Sequence, residues 1–524
     1  MLRPSREDFR ALAAGHTIVP VWRELAADLE TPVSAFLKLV PGGTPGFLLE
    51  SVEHGERWGR FSFVGRDPSL VLVAQDGRIE LSGTPTSGAA VPVDRGVLVA
   101  VEALLASYRS PALPELPPLH GGVVGYIGYD VVREVERLPN VPPDDLGRPD
   151  AVLSVIGQVV AFDHLRQRVY LVDNVVVADG LDLDAAYDRA VARLAELAAD
   201  LGRPLPPYVP AAPPSPDDPL PEVRSTVGKE AYCAAVEVAK EHIRAGDIFQ
   251  VVPSQRFDLD LGADPFDVYR VLRQVNPSPY MYFLRHPSIT VVGSSPEPMV
   301  QLRDGRVVTR PIAGSRPRGT TEEADHALGE ELLADPKERA EHVMLVDLAR
   351  NDLGRVVTFG TEQVDEFMTV ERYSHIMHLT SQVSGRLRPG KGPIDVLRAT
   401  LPAGTVSGAP KVRAMEIIDD LEPAKRGPYA GVVGYFDFSG NLDTAILIRT
   451  MTVTADGRAS VQAGGGVVAD SVPETEYEES CNKAAALLAA VPAARRMRRE
   501  HRSEAEERSA HDGGVRAESG LAGV

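Results

Sequence analysis

The sequence predicts a mixed α and β protein of enzyme size, and three observations carry that prediction. Runs rich in β-branched residues surround turn signals, as in LVLVAQDGRIEL (70–81) and AVLSVIGQVVAFDHLRQRVYLV (151–172). DLDAAYDRAVARLAELAADLG (182–202) instead carries apolar residues at helical spacing and stops at a glycine. A chain of 524 residues with 44% hydrophobic residues can bury a large core.

Along the chain, residues 1–203 read as a first α and β region. PLPPYVPAAPPSPDDPLP (204–221) is half proline, cannot pack as helix or central strand, and predicts an extended linker over 204–224. GKEAYCAAVEVAKEHIRAGD (228–247) then predicts a helix ending near Gly246, followed by the strand-like IFQVVPSQRFDL. Helices and hairpin-like strand pairs continue to about Pro492, which bounds a second region at 225–492. The charged stretch 493–524, poor in large apolar residues, predicts a disordered tail.

A formal charge of −19 argues against nucleic-acid binding as the main task, because phosphate backbones call for a basic surface. Two cysteines, Cys233 and Cys481, are too few for a disulfide framework and fit a reducing cytoplasm. The first residues hold no apolar core long enough for a signal peptide, and no stretch reaches membrane-spanning length. The expectation is a cytoplasmic protein.

Four features could carry chemistry. VTRPIAGSRPRGT (308–320) sets Arg310, Arg316 and Arg318 around an Ala-Gly-Ser turn, an arrangement suited to a phosphate or a carboxylate. Glu338 and Glu341 share one helix face, and Glu476 and Glu479 share another with Lys483 a turn further on. If those helices converge, the carboxylates make an oxygen-rich site suited to Mg²⁺. Arg449, among apolar neighbours in AILIRTMTVT, needs either a carboxylate partner or an anionic ligand. Gly464, Gly465 and Gly466 interrupt a strand-like run, by a plain bulge or by a close approach. Glu297 and His378 are candidate acid–base groups.

Eight segments taken in order, GDIFQVVPSQRF, GSSPE, RPIAGSRPRG, EHVMLVDLARNDLGRV, LPAGTVSGAPKVRAMEIID, DTAILIRT, QAGGGVV and ETEYEESCNKA, resemble the chorismate-binding enzymes. GFLLESVEHGERWGRFSFVG and GGVVGYIGYDVVREVERLP further resemble the N-terminal region of the anthranilate synthase branch of that family. The resemblance implies an α+β fold with two antiparallel β-sheets packed face to face and helices outside. It implies chorismate as substrate, held by Gly314, Ser315, Tyr429, Arg449, Lys483 and the backbone of Gly464, Gly465 and Gly466. Ser315 stands where family members usually have threonine, which keeps the hydroxyl and loses a methyl. Glu341 and Glu479 would bind Mg²⁺, supported by Glu338 and Glu476. Glu297 would be the general acid for the C4 hydroxyl, His378 would serve the later loss of pyruvate, and Gln250 and Thr405 complete the catalytic set.

Branches of the family that add water carry a lysine at the place of Gln250, and the aminodeoxychorismate branch commonly carries one at Ala313. An amide cannot deprotonate water and alanine cannot be a nucleophile, so the resemblance implies direct amination by ammonia, then pyruvate elimination to anthranilate. A synthase that stops at 2-amino-2-deoxyisochorismate, an aminodeoxychorismate synthase without the lysine and a non-catalytic aromatic-acid sensor are the alternatives. Neither cysteine has the glycine-flanked turn of a glutaminase nucleophile. The ammonia would therefore come from a glutamine amidotransferase subunit, in a heterotetramer of two synthase and two glutaminase chains. Ser51 in LLES and Pro279, Tyr280 and Met281 in NPSPYMYF resemble the family's tryptophan-binding segments, which implies feedback inhibition by tryptophan.

Overall fold

A computed structural model describes residues 2–51, 59–83, 90–205, 212–373 and 376–497. Among these, two large sheets form and every strand pairing is antiparallel. The twelve-stranded sheet begins with strands of the first region, Leu2–Arg3, Ile18–Ala26, Arg168–Val176, Gln158–Asp163, Phe61–Arg66 and Gly46–Glu50. It continues directly into Tyr280–His286, Ile289–Ser295, Thr450–Val453, Arg458–Gly464, Ser254–Asp260 and Arg224–Ser225. At that seam Glu50 pairs with Met281 and Leu48 with Phe283. The eleven-stranded sheet has its own seam, where Val432–Asp437 pairs with Gly122–Ile127.

The sheets lie face to face because their strands alternate. Phe63, Val159, Ala161, Tyr170 and Val172 of the first sheet meet Val124 and Ile156 of the second. Tyr282, Ile289 and Val291 meet Tyr126, Val152 and Val433 further along. The intervening residues Val64, Val160, Phe162 and Phe283 point outward, into a layer with Phe36, Leu194, Phe266 and Tyr269 from helices. On the far side Val123, Ile127, Leu153 and Val432 pack under helical Leu98, Leu104, Leu397 and Met415. This is the expected α+β fold, with helices outside two packed antiparallel sheets.

Two boundaries differ from expectation. The proline-rich stretch joins two regions of sequence, but both sheets cross from one region to the other, so it does not divide the hydrogen-bonded framework. The folded body also runs past Pro492. Residues 490–497 are helical, with Ala493, Ala494 and Met497 buried in the outer apolar layer. The rest of the expected tail lies outside the described residues. The helix Lys229–Ala245 ends as predicted, with Gly246 in the left-handed conformation at φ 84°.

Candidate active site

Two helices bring the four glutamates together. Pro336–Gly354 starts at Asp335, whose carboxylate accepts from the backbone N–H groups of Lys337 and Glu338, with Pro336 in the first turn. Pro473–Leu488 likewise opens on a proline. Gln250 stands between Glu341 and the glycine run, since its Nε2 donates to Glu341 Oε1 at 3.1 Å and a Cβ on Gly466 would stand 2.3 Å from that same Nε2. A Cβ on Gly465 would stand 3.0 Å from Glu476 Oε2 and 3.7 Å from Glu479 Oε1. The run Gly464–Gly466 is therefore a close approach, in which a side chain would meet the Pro253 carbonyl at Gly464, the glutamates at Gly465 or Gln250 at Gly466. Lys483 bridges the edge of the site, 2.7 Å from Glu479 and donating to the Gly464 carbonyl at 2.9 Å.

Burial, followed by the like charge of Glu338 and more weakly of Glu479, raises the Glu341 pKa. Burial and then the charge of Glu479 raise that of Glu476. Among the described residues no three acidic or imidazole side chains stand close enough to form a ready metal cage. The donor chemistry nonetheless suits a hard cation, because the charge of Glu479 acts on Glu341 from the other helix and a divalent charge would relieve that repulsion. Lys337, just before Glu338, also lowers the pKa of both Glu341 and Glu476, a contribution its surface-like sequence context did not signal.

Glu297 lies in the short connection between Ile289–Ser295 and Pro298–Arg303, its carbonyl held by the Ile446 N–H at 3.1 Å. Burial pushes its pKa up to about 7, against the hydrogen bond that Thr405 Oγ1 donates to Oε1 at 2.9 Å and the charge of Lys483. A carboxyl poised near neutrality with one oxygen anchored can release a proton from the other. His378, on Ile376–Arg386, pairs in register with Ser315 and places Nδ1 2.9 Å from the Gly314 carbonyl. A carbonyl only accepts, so Nδ1 carries the hydrogen and Nε2 is the free, basic nitrogen. Burial lowers the ring's pKa and keeps it neutral. Gly314 is at φ 68°, inside the bulge between Ala313 and Ser315, and a Cβ there would meet Glu338 Oε2 at 2.8 Å.

The anion-binding expectation for three arginines is overturned. Arg310 pairs with Glu371; Arg316 reaches Glu331 at 3.0 Å, Asp335 at 2.9 Å and Glu338 at 3.3 Å; Arg318 reaches Asp325 at 2.7 Å. These guanidinium groups hold the turn in place. Arg449 is the opposite case. It sits at φ 49°, a strained conformation of the kind that gathers at ligand sites, and forms no ion pair among the described residues. Burial lowers its pKa, opposed by the Tyr429 phenol and then by Glu479. Tyr429 is itself buried, which pushes its pKa up to about 12.

The segments around Ser51 and Tyr280 are adjacent across the seam, but not as expected. Tyr280 and Met281 are consecutive in a strand and point to opposite faces. Met281 enters the outer apolar layer, whereas the Tyr280 hydroxyl donates to Asp443 at 2.9 Å and accepts from Gln301 at 3.0 Å. Glu50, which sequence reading passed over, is buried and accepts from Tyr269 at 2.6 Å and Arg273 at 3.2 Å. The four-residue spacing of Tyr269 and Arg273 on one helix face was the available signal. Next to Glu50, the Ser51 Oγ is buried without a hydrogen-bond partner among the described residues, as is Asn276 Nδ2 at the end of that helix.

A family model described as chorismate binding enzyme matches residues 52–489. The protein named anthranilate synthase component 1 from Mycolicibacterium smegmatis is 50% identical over 498 residues, 94% of each chain. That of Pseudomonas aeruginosa is 49% identical over 494 residues, covering 93% of this chain and 98% of the relative. The crystal structure of anthranilate synthase component I from Streptococcus pneumoniae superposes with a TM-score of 0.72 at 35% identity, covering 88% of this chain and 99% of that one. On these matches the chain belongs to the chorismate-binding enzyme family.

Proposed function

We propose that the chain is the synthase subunit of an anthranilate synthase, converting chorismate and ammonia to anthranilate and pyruvate through 2-amino-2-deoxyisochorismate. The observation that carries this reading is Gln250. The place where the water-adding branches need a base holds an amide fastened to Glu341, so the nucleophile has to arrive reactive. Ala313 is buried and offers no nucleophile to the aminodeoxychorismate route.

Arg449 grips a carboxylate of chorismate, helped by Tyr429 and by the backbone around Gly314 and Gly464–Gly466. Protonated Glu297, anchored by Thr405, gives its proton to the departing C4 hydroxyl while ammonia attacks C2. His378 Nε2 then takes a proton as pyruvate leaves. Glu341 and Glu479, with Glu338 and Glu476 beside them, would hold Mg²⁺, which supplies electrostatic stabilisation of the substrate's carboxylate and of charge developing on the ring.

Ammonia comes from a separate glutamine amidotransferase, two of each chain assembling together, and tryptophan inhibits by binding near Ser51. A cytoplasmic setting suits these partners. Incubating the purified chain with chorismate, Mg²⁺ and an ammonium salt should yield equimolar anthranilate and pyruvate, read by fluorescence and a coupled dehydrogenase. Accumulation of isochorismate or aminodeoxychorismate instead would overturn the assignment.

A further inference from the structure

Glu297 also lines a cavity with Thr405, Leu345, Leu348, Ala349 and Asp352, a cavity that none of Gly464, Gly465 and Gly466 lines. Asp352 belongs to the helix that carries Glu341, and it is 6% exposed. Its Oδ2 accepts from Lys411 Nζ at 2.7 Å, while Oδ1 is buried with no hydrogen-bond partner among the described residues. Lys411 is 7% exposed and also donates to the Thr400 carbonyl at 3.1 Å. The space open to water in the cavity is about 40 Å³. One water needs roughly 10–15 Å³ by that measure, so about three or four fit in the cavity that both carboxyl-bearing residues line.

From this geometry we propose that Asp352 is a positioning residue of a proton relay that reloads Glu297 after each turnover. The inference rests on the proposed amination of chorismate. In that reaction the Glu297 O–H bond and the substrate's C4–O bond break, water leaves, and the ammonia nitrogen bonds to C2. The surplus proton on that nitrogen goes to solvent on the substrate side, and Glu297 remains as a carboxylate. The aminated ring still covers its front, so a proton that reaches Glu297 before product leaves comes from behind. Lys411 passes a proton to Asp352, the cavity waters carry it to Glu297, and Lys411 is recharged from its far side. There the charges of Arg355 and Glu136 act on it, in a pair 3.7 Å apart near the surface. Burial raises the Asp352 pKa, with Lys411 and then Arg355 opposing, which brings the carboxyl closer to one that can carry a proton.

The experiment compares single-turnover and steady-state anthranilate formation, with ammonium as the nitrogen source, in wild type and two variants. Asp352→Asn removes the relay carboxyl, and Ala349→Val fills the cavity while leaving the Asp352–Lys411 pair intact. With enzyme in excess, Glu297 starts loaded, so the first turnover should stay within about two-fold of wild type, while steady-state kcat falls about ten-fold or more. A merely structural role would slow both phases together. Equal slowing of both phases, or steady-state kcat within about two-fold of wild type in Ala349→Val, overturns the relay. If Asp352→Asn does not fold, Ala349→Val decides alone. Wild type that forms no anthranilate would instead overturn the proposed function.

Discussion

Gln250 donates its amide to Glu341 across 3.1 Å while its own Oε1 is buried without a partner among the described residues. The residue therefore orders a carboxylate on one side and leaves an acceptor for whatever enters on the other. Gln250→Leu should keep the fold, with the midpoint of thermal unfolding lowered by only a few degrees. It should cost roughly 1–3 kcal/mol in kcat/KM for chorismate, because Glu341 loses its buried donor. Steady-state kinetics with a melting curve checks this, and an unchanged kcat/KM would remove Gln250 from the site.

Glu297 sets the alkaline limb of activity. Its acid form is the working one, and its pKa in the free protein is pushed up to about 7, so kcat/KM should fall as pH rises through about 7. Thr405 donates to the charged form, so Thr405→Val should raise that pKa and move the limb to higher pH. The linkage has a defined sign. Native Glu297 holds its proton to higher pH than in the unfolded chain, so its contribution to stability is full below about pH 4.5 and lost as pH rises to about 7. Glu297→Gln should thus unfold at higher temperature than wild type at pH 8, lose that advantage near pH 4, and lose activity by about 100-fold or more.

Glu341→Gln and Glu479→Gln should nearly abolish turnover, because each removes charge and an oxygen from the set facing the glycine run. Activity of wild type should vanish in excess EDTA and return with Mg²⁺. Direct titration with Mg²⁺ should show weaker binding in both variants. Full activity in EDTA would sink the metal assignment.

Arg449 separates binding from folding. It pairs with no carboxylate among the described residues, so Arg449→Met strands no buried charge and should leave the unfolding temperature equal or higher. Arg449→Lys cannot reproduce the planar two-point contact and should raise KM for chorismate about ten-fold, with a smaller change in kcat. Unfolding of Arg449→Met with intact chorismate affinity in the lysine variant would invert this assignment. Arg426, buried against Glu422 at 2.6 Å, is the control in which the same removal should destabilise.

What could be read from the sequence followed from local chemistry. The helix stop at Gly246 and the glutamate pairs are set by spacing within one or two turns, and both are as expected. The seams at Glu50 with Met281 and at Val432 with Ile127 depend on register between distant strands, which local periodicity does not encode. Arg310, Arg316 and Arg318 look like an anion site because their partners, among them Glu371, Asp335 and Asp325, lie outside the motif. Ala493 and Ala494 read as tail because the charged residues beside them hide two small side chains that pack against the core.

Ser51 offers the test of regulation. Its Oγ is buried and unpartnered next to Glu50, which Tyr269 and Arg273 already satisfy, so an incoming ammonium or amide would meet an open acceptor at Ser51. The site joins the two regions through the pairing of Glu50 with Met281, and the Tyr280 phenol ties that strand to Asp443 of the other sheet. Strand Leu442–Ile446 in turn supplies the Ile446 N–H that holds the Glu297 carbonyl. Tryptophan bound at Ser51 lowers chorismate affinity only by favouring the arrangement that binds chorismate poorly, and linkage then requires chorismate to weaken tryptophan to the same degree. Ser51→Phe should fill the space, leaving kcat within about two-fold of wild type and raising the tryptophan needed for half-inhibition at least ten-fold. Asp443→Asn weakens the tie to the second sheet without touching Ser51, so tryptophan should still bind it in calorimetry while inhibiting less. Equal inhibition of wild type and Ser51→Phe would place the tryptophan site elsewhere.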